Sequence, residues 1–225
     1  MSSRPLHLLV AALLAAGCAS GNKLTVSEEQ TARLPEGSTE QWQSEQLAVI
    51  QAGDEAARAR LGVEDAEREL EVARQEVNVA EAQIDRSEAQ LEASQQARDD
   101  QAAEQARGQL DLARQRKQVA EAHVEAEQQQ VELAEARREL AEQRQELARL
   151  QLNQARFQAL QQAGDPAAED FSAQEFQEEI ARQQNRVAEL QREVELQQSQ
   201  YTRARNEWQQ QRRQLEAGAP GTPAG

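Results

Sequence analysis

The chain has 225 residues and a formal net charge of −15, with 40 acidic against 25 basic residues, 38 % hydrophobic residues and 3 % aromatics. Two Trp, one Tyr, three Phe and one Met cannot furnish the thick core usual for this length, and much of the hydrophobic count is alanine. Abundant Ala, Glu, Gln, Arg and Leu with ten Gly and five Pro selects long helices that bury a narrow stripe. Arginines alternate with glutamates, so no basic stripe is available to neutralise phosphates and nucleic-acid binding is not expected. A lone cysteine allows no intrachain disulfide.

Residues 1–17 carry one positive charge, Arg4, then an apolar run from Leu8 to Ala16 and a small residue, which reads as a secretory signal peptide. The run is well short of the roughly 20 residues that span a bilayer. Leu14-Ala15-Ala16-Gly17-Cys18 resembles the lipobox of bacterial lipoproteins, although Ala15 stands where the commonest pattern has leucine. The resemblance implies cleavage before Cys18, a diacylglyceryl group on its sulfur and a further acyl chain on its amine. Two or three acyl chains anchor firmly where one binds only marginally. Ala19 follows Cys18 where enteric-type inner-membrane retention places aspartate, so the resemblance implies the outer membrane, facing the periplasm.

Residues 18–37 are expected to be the lipidated cysteine and a flexible tether, with a short turn of helix at Ser27 to Gln30. Ser38 and Gln41 have the spacing of a capping box, so a helix is expected from Ser38. Beyond it apolar residues recur every seven: Val49, Ala56, Val63, Leu70, Val77, Ile84 and Leu91, with Ala52, Ala59, Ala66, Ala73, Ala80, Ser87 and Ser94 three places later. The series resumes from Leu112 and Val119 through Leu147, and from Ala122 to Phe157. This is a coiled-coil seam. It weakens from Gln95 to Gly108, but keeping one heptad phase across the gap predicts a single coiled-coil helix over 38–163, on the order of 190 Å long. The alternative is a bend at Asp99-Asp100 and Gly108, giving a three-helix antiparallel bundle.

Gly164, Asp165 and Pro166 stop the helix, and 164–171 reads as a hairpin turn. A second helix is expected over 172–217, with Ser172 and Glu175 as a capping box, Phe171 and Phe176 as a hydrophobic staple, and a disordered tail over 218–225. Its seam runs Ile180, Val187, Val194, Tyr201, Trp208 and Leu215. An antiparallel register that sets Phe157 against Ile180 and Leu150 against Val187 places Gln129 opposite Trp208. The fold class is therefore all-α, an elongated coiled coil of one long helix and an antiparallel hairpin. In that arrangement the stripe from Val49 to Leu91 has no intrachain partner and asks for a second copy or another coiled-coil envelope protein.

The segment around Arg156-Phe157-Gln158-Ala159-Leu160, the glycine turn and Ser172 is similar to the hairpin tip of periplasmic adaptor, or membrane fusion, proteins. The resemblance covers about residues 119–216 and implies that Arg156, Leu160 and Ser172 contact an outer-membrane channel. The connection here is longer than the family's, and the lipoyl and β-barrel segments of that family are absent.

No chemistry of an enzyme stands out. His7 belongs to the signal, His123 reads as an isolated solvated side chain off the seam, and the only thiol is assigned to lipid. No catalytic residue, metal site, cofactor or small-molecule substrate is expected. The sequence thus predicts an outer-membrane lipoprotein whose coiled coil acts as a spacer or scaffold in an envelope assembly. An accessory of an export, secretion or motility machine is the alternative, its tip meeting a channel or other envelope protein. A link to the cell wall is disfavoured because Gly225 is not the terminal lysine of peptidoglycan-joined lipoproteins.

Overall fold

The computed structural model describes residues 24–35 and 37–218, and every element in it is helical. Cys18, the signal segment and the tail beyond residue 218 lie outside the described residues. Helix α1 is Glu28–Thr31, α2 is Gln43–Gln96, α3 is Asp100–Ala163 and α4 is Ala173–Gly218. Short 3-10 turns occupy Ser38–Trp42 and Pro166–Asp170. Among the described residues no helix is long and apolar enough to cross a membrane.

The single helix expected over 38–163 is two helices. Its start differs too, because Gly37 in the left-handed region (φ 97°) leads into the 3-10 turn without a side-chain cap, and α2 begins only at Gln43. The reciprocal capping box is found earlier, between Ser27 and Gln30 at the head of α1.

The break between α2 and α3 falls at Ala97 to Asp99. Arg98 adopts φ 56°, its amide donates to the Gln95 carbonyl at 3.1 Å, and the Asp99 amide donates to the Ser94 carbonyl at 3.0 Å. Those two bonds form a Schellman ending built on arginine instead of glycine. Asp99 then caps α3, its Oδ1 accepting from the Ala102 amide at 3.0 Å. A three-residue link made this way needs neither proline nor glycine. Gly108, considered as a bend, lies inside α3.

Two compact units are present. One combines the described residues up to Gln51 with Gln145–Gln184, and the other combines Ala52–Arg144 with the residues from Asn185 onward. In the second unit α2 and α3 run antiparallel, as Glu55 with Arg144 (2.9 Å), Arg60 with Glu142 (2.8 Å), Glu81 with Lys117 (2.9 Å) and Glu88 with Arg114 (3.2 Å) show. Most of these side chains are more than half exposed, so each pair contributes no more than about 1 kcal/mol and serves mainly to favour this alignment.

The dry part of that interface is built from small residues. On α2 the buried positions are Ala56, Val63, Ala66, Leu70, Ala73, Ala80 and Ser87, which belong to the heptad series read from the sequence. The partner is α3 of the same chain. Its first third buries Ala103, Ala106, Leu110, Ala113 and Ala120, a new heptad phase that begins after the turn. Alanine at both faces permits close approach of the two backbones, so dispersion contacts compensate for small side-chain area. The one buried hydroxyl here, on Ser87, donates to the Gln83 carbonyl at 2.8 Å.

Helix α4 packs antiparallel on α3 less completely in this unit. Glu139 meets Arg186 at 2.6 Å and Arg137 meets Gln198 at 2.6 Å, but Val187, Val194, Tyr201, Trp208 and Leu215 are only half-buried, and Leu190 is the buried member of that seam. With α2 on one side and α4 on another, α3 must be apolar on more than one face.

The turn at Arg98 carries a prediction whose sign distinguishes it from a continuous helix. Arg98→Gly should raise stability by about 1 kcal/mol by removing a left-handed L-residue. Asp99→Ala should lower it by about 1 kcal/mol by removing the cap. Urea unfolding of the two single variants measures both. A helix running unbroken through this segment would give the opposite signs.

Candidate anchoring and contact site

Unit one holds Arg156, Leu160 and Ser172, the contact residues expected from the sequence, and two of them belong to its interior. Val26, Leu150, Phe157, Leu160 and Phe176 form one buried cluster, with Leu24, Leu34, Ala167, Ala168, Phe171 and Ile180 packed against it. Trp42, Leu152 and Ala159 form a second, flanked by Leu34, Val49 and Ala155. The segment expected to be a tether is therefore part of the fold from Leu24 onward. Val26 is fully buried, and Leu34 touches both clusters.

The end of α3 positions this cluster by a second Schellman ending, here on Gly164 (φ 65°). Its amide donates to the Gln161 carbonyl at 3.1 Å and the Asp165 amide donates to Leu160 at 3.0 Å. Asp165 Oδ1 then accepts from the Ala167 amide at 2.8 Å and starts the 3-10 turn. Ser172 opens α4, its Oγ accepting from the Glu175 amide at 3.4 Å. Phe171 and Phe176 meet as the spacing predicted, with centroids 6.2 Å apart, and Phe157 stacks on Phe176 at 5.3 Å and 21°. These three rings account for the aromatic core of the turn.

Leu160 is fully buried inside this cluster. The side chain of Arg156 is only 13 % exposed. Its Nη1 donates to the Val26 carbonyl at 3.3 Å, its Nη2 lies 3.8 Å from Glu28, and its Nε is buried with no hydrogen-bond partner. Ser172 is half-buried and engaged as a cap. The chain's own amino-terminal segment thus covers Arg156 and Leu160, and Ser172 serves α4.

Sequence reasoning missed the partner side of this contact. Asn153 Oδ1 accepts from the Val26 amide at 3.3 Å, so Asn153 and Arg156, one turn apart on α3, hold both polar groups of a single residue. Polar side chains three apart on an otherwise apolar face were the available signal.

In unit two the sequence reading of His123 also needs correction. The side chain is 16 % exposed, its ring stacks on Trp208 with centroids 4.1 Å apart and planes within 6°, and both nitrogens face carboxylates. The ring that Trp208 meets is thus that of His123. A second docking expectation is revised as well, since α3 covers the α2 seam from Ala56 to Ser87 that was read as awaiting another chain. The apolar residues of α2 left more than half exposed in this unit are Leu61 and Val79, with Val72 at 50 %.

Removing the guanidinium should loosen the amino-terminal segment. Arg156→Ala leaves the Val26 carbonyl without its donor and should lower stability by about 1–2 kcal/mol. Arg33 is exposed in that segment, so the variant should be cut by trypsin at Arg33 several-fold faster than the parent. Unchanged cleavage would mean that the guanidinium contact does not hold the segment. No protein family, curated protein or solved structure matches this chain.

Proposed function

We propose that the chain is a bacterial lipoprotein, acylated at Cys18 and held on the periplasmic face of the outer membrane, whose helical units act as a structural scaffold in an envelope assembly. The lipobox-like sequence supports the anchor. The observation that carries the scaffold reading is the burial of Leu160 and Arg156 beneath Val26 and Glu28. An accessory that meets a channel through those side chains would first have to expel its own amino-terminal segment, so this alternative is the weaker one.

The same contact changes the expected placement of the anchor. Leu24 is six residues after Cys18, and an extended chain covers at most about 3.6 Å per residue, so acylation would hold the α3–α4 turn of unit one within roughly 20 Å of the bilayer. A tether of 18–37 would have allowed about three times that reach. In this reading the turn is the membrane-proximal feature. The remaining partners are a second copy or another coiled-coil protein, and no small molecule or nucleic acid is required.

Mass spectrometry and fractionation test the proposal together. The processed protein should begin at Cys18 and carry the mass of a diacylglyceryl group plus one acyl chain, and Cys18→Ser should move it to the soluble periplasmic fraction. An unacylated thiol in the membrane-purified protein would overturn the anchor. Photocrosslinkers at Asp165 and Glu169, both in the 3-10 turn region, should label lipid. Capture of a channel protein from Arg156 or Leu160 would instead favour the accessory reading.

A further inference from the structure

Unit two contains a partly buried group of titratable side chains, His123 and Glu127 with the half-exposed Glu76, that neither scaffolding nor anchoring uses. His123 of α3 places Nδ1 2.8 Å from Glu76 Oε2 of α2 and Nε2 3.4 Å from Glu127 Oε1, one turn further along α3. Its ring lies flat on the indole of Trp208 from α4. One side chain therefore touches all three helices. The side chains of His123 and Glu127 are 16 % and 12 % exposed, and Glu127 Oε2 is buried with no hydrogen-bond partner.

The proton count follows from the donor inventory. A neutral imidazole has one N–H and one lone pair, so it can satisfy one of two carboxylates and must turn its lone pair toward the other. The imidazolium has two N–H donors and can serve both. Its positive charge also suits the π face of an indole, an attraction worth most where water is excluded. The surrounding charges are Glu69 and Glu76 from α2, Glu127 from α3, and Arg205 and Arg212 from α4. Arg212 sits 6.0 Å from the Trp208 ring centre, and Arg205 acts on Glu127.

We propose that His123 is a pH-dependent clasp: protonated, it fastens Glu76 of α2 and Trp208 of α4 to α3, and on losing its Nε2 or Nδ1 proton to water it releases the carboxyl-terminal half of α4. The only bond broken is that N–H bond. Helix α4 is the element set to respond, because its seam in this unit is only half-buried while that of α2 is dry. Glu127 works in the same direction. Burial raises its carboxyl above the ordinary value, His123 opposes that rise, and Glu69 adds to it. A folded-state value above the unfolded one contributes stability that is full below the ordinary carboxylate range and is lost as pH rises through the raised value. The raised Glu127 carboxyl therefore favours the packed helices on the acid side.

Hydrogen exchange on the full chain tests the clasp without requiring a ligand. After correction for intrinsic exchange rates, amides of residues 201–216 should be about fivefold or more better protected near pH 5.5 than near pH 8. His123→Gln keeps the polar contact but cannot charge, so it should bring this ratio close to that of the first half of α4. The many other carboxylates are the same in both proteins, which isolates the histidine. Equal acid-to-alkaline ratios in the parent and the variant would overturn the proposal. Nitrogen-15 spectra of the parent's His123 ring give a second reading that needs no variant. Two N–H groups on the acid side and one on the alkaline side, changing together with α4 protection, are expected. A ring that keeps one charge state throughout this range would contradict it.

Discussion

Val26 enters the core of unit one beside Phe157, Leu160 and Phe176 while its amide and carbonyl are both held by α3 side chains. Apolar side chains alone could not dock this short, mostly polar segment. The peptide group it brings along would be dehydrated without a partner, at a penalty of about 1–3 kcal/mol for each unmade hydrogen bond. Asn153 and Arg156 remove that penalty. Once Val26 is fixed, Leu24 and Leu34 reach the same apolar surface on either side of it, and Trp42 closes the second cluster with Leu152 and Ala159. The contact also decides which residues of the turn remain exposed.

Unit two solves a different physical problem. A seam composed largely of alanine buries little area per residue, so its stability depends on long continuous pairing and close backbone approach. The three-residue turn from Ala97 to Asp99 makes such pairing intramolecular, and lets α3 cover the buried stripe of α2. Helix α3 consequently serves two neighbours. This is why a histidine off one seam can be central to the next, and why Glu127 is tolerated at a buried position only with an ionisable neighbour beside it.

Much of the helical architecture was legible. The heptad series on α2, the glycine stop at Gly164, the Phe171 and Phe176 staple and the Ser172 cap all rest on local chemistry that leaves a direct mark on residue type. The turn at Arg98 was legible only as the alternative bend at Asp99-Asp100, because a Schellman ending on arginine followed by an aspartate cap uses residues that are equally at home within a helix. The change of phase to Ala103, Ala106, Leu110, Ala113 and Ala120 was the mark it left, and extending the earlier phase across Gln105 and Gly108 concealed it. Val26 was invisible for another reason. Leu24, Val26 and Leu34 follow no helical repeat among their polar neighbours, and only the assembled surface of α3 and α4 gives them somewhere to go. The pairing of His123 with Trp208 likewise depends on the realised register between two long helices, to which small shifts are fatal.

The Val26 amide offers the most direct measurement of the central contact. Donated to Asn153 within a cluster closed by Leu160 and Phe176, it should exchange with solvent at least a hundredfold more slowly than an unstructured peptide, on the order of the 3 kcal/mol that burial and both hydrogen bonds contribute. Asn153→Ala should erase most of that protection. Exchange at the unstructured rate in the parent chain would contradict the account, leaving Arg156 and Leu160 open to a partner after all.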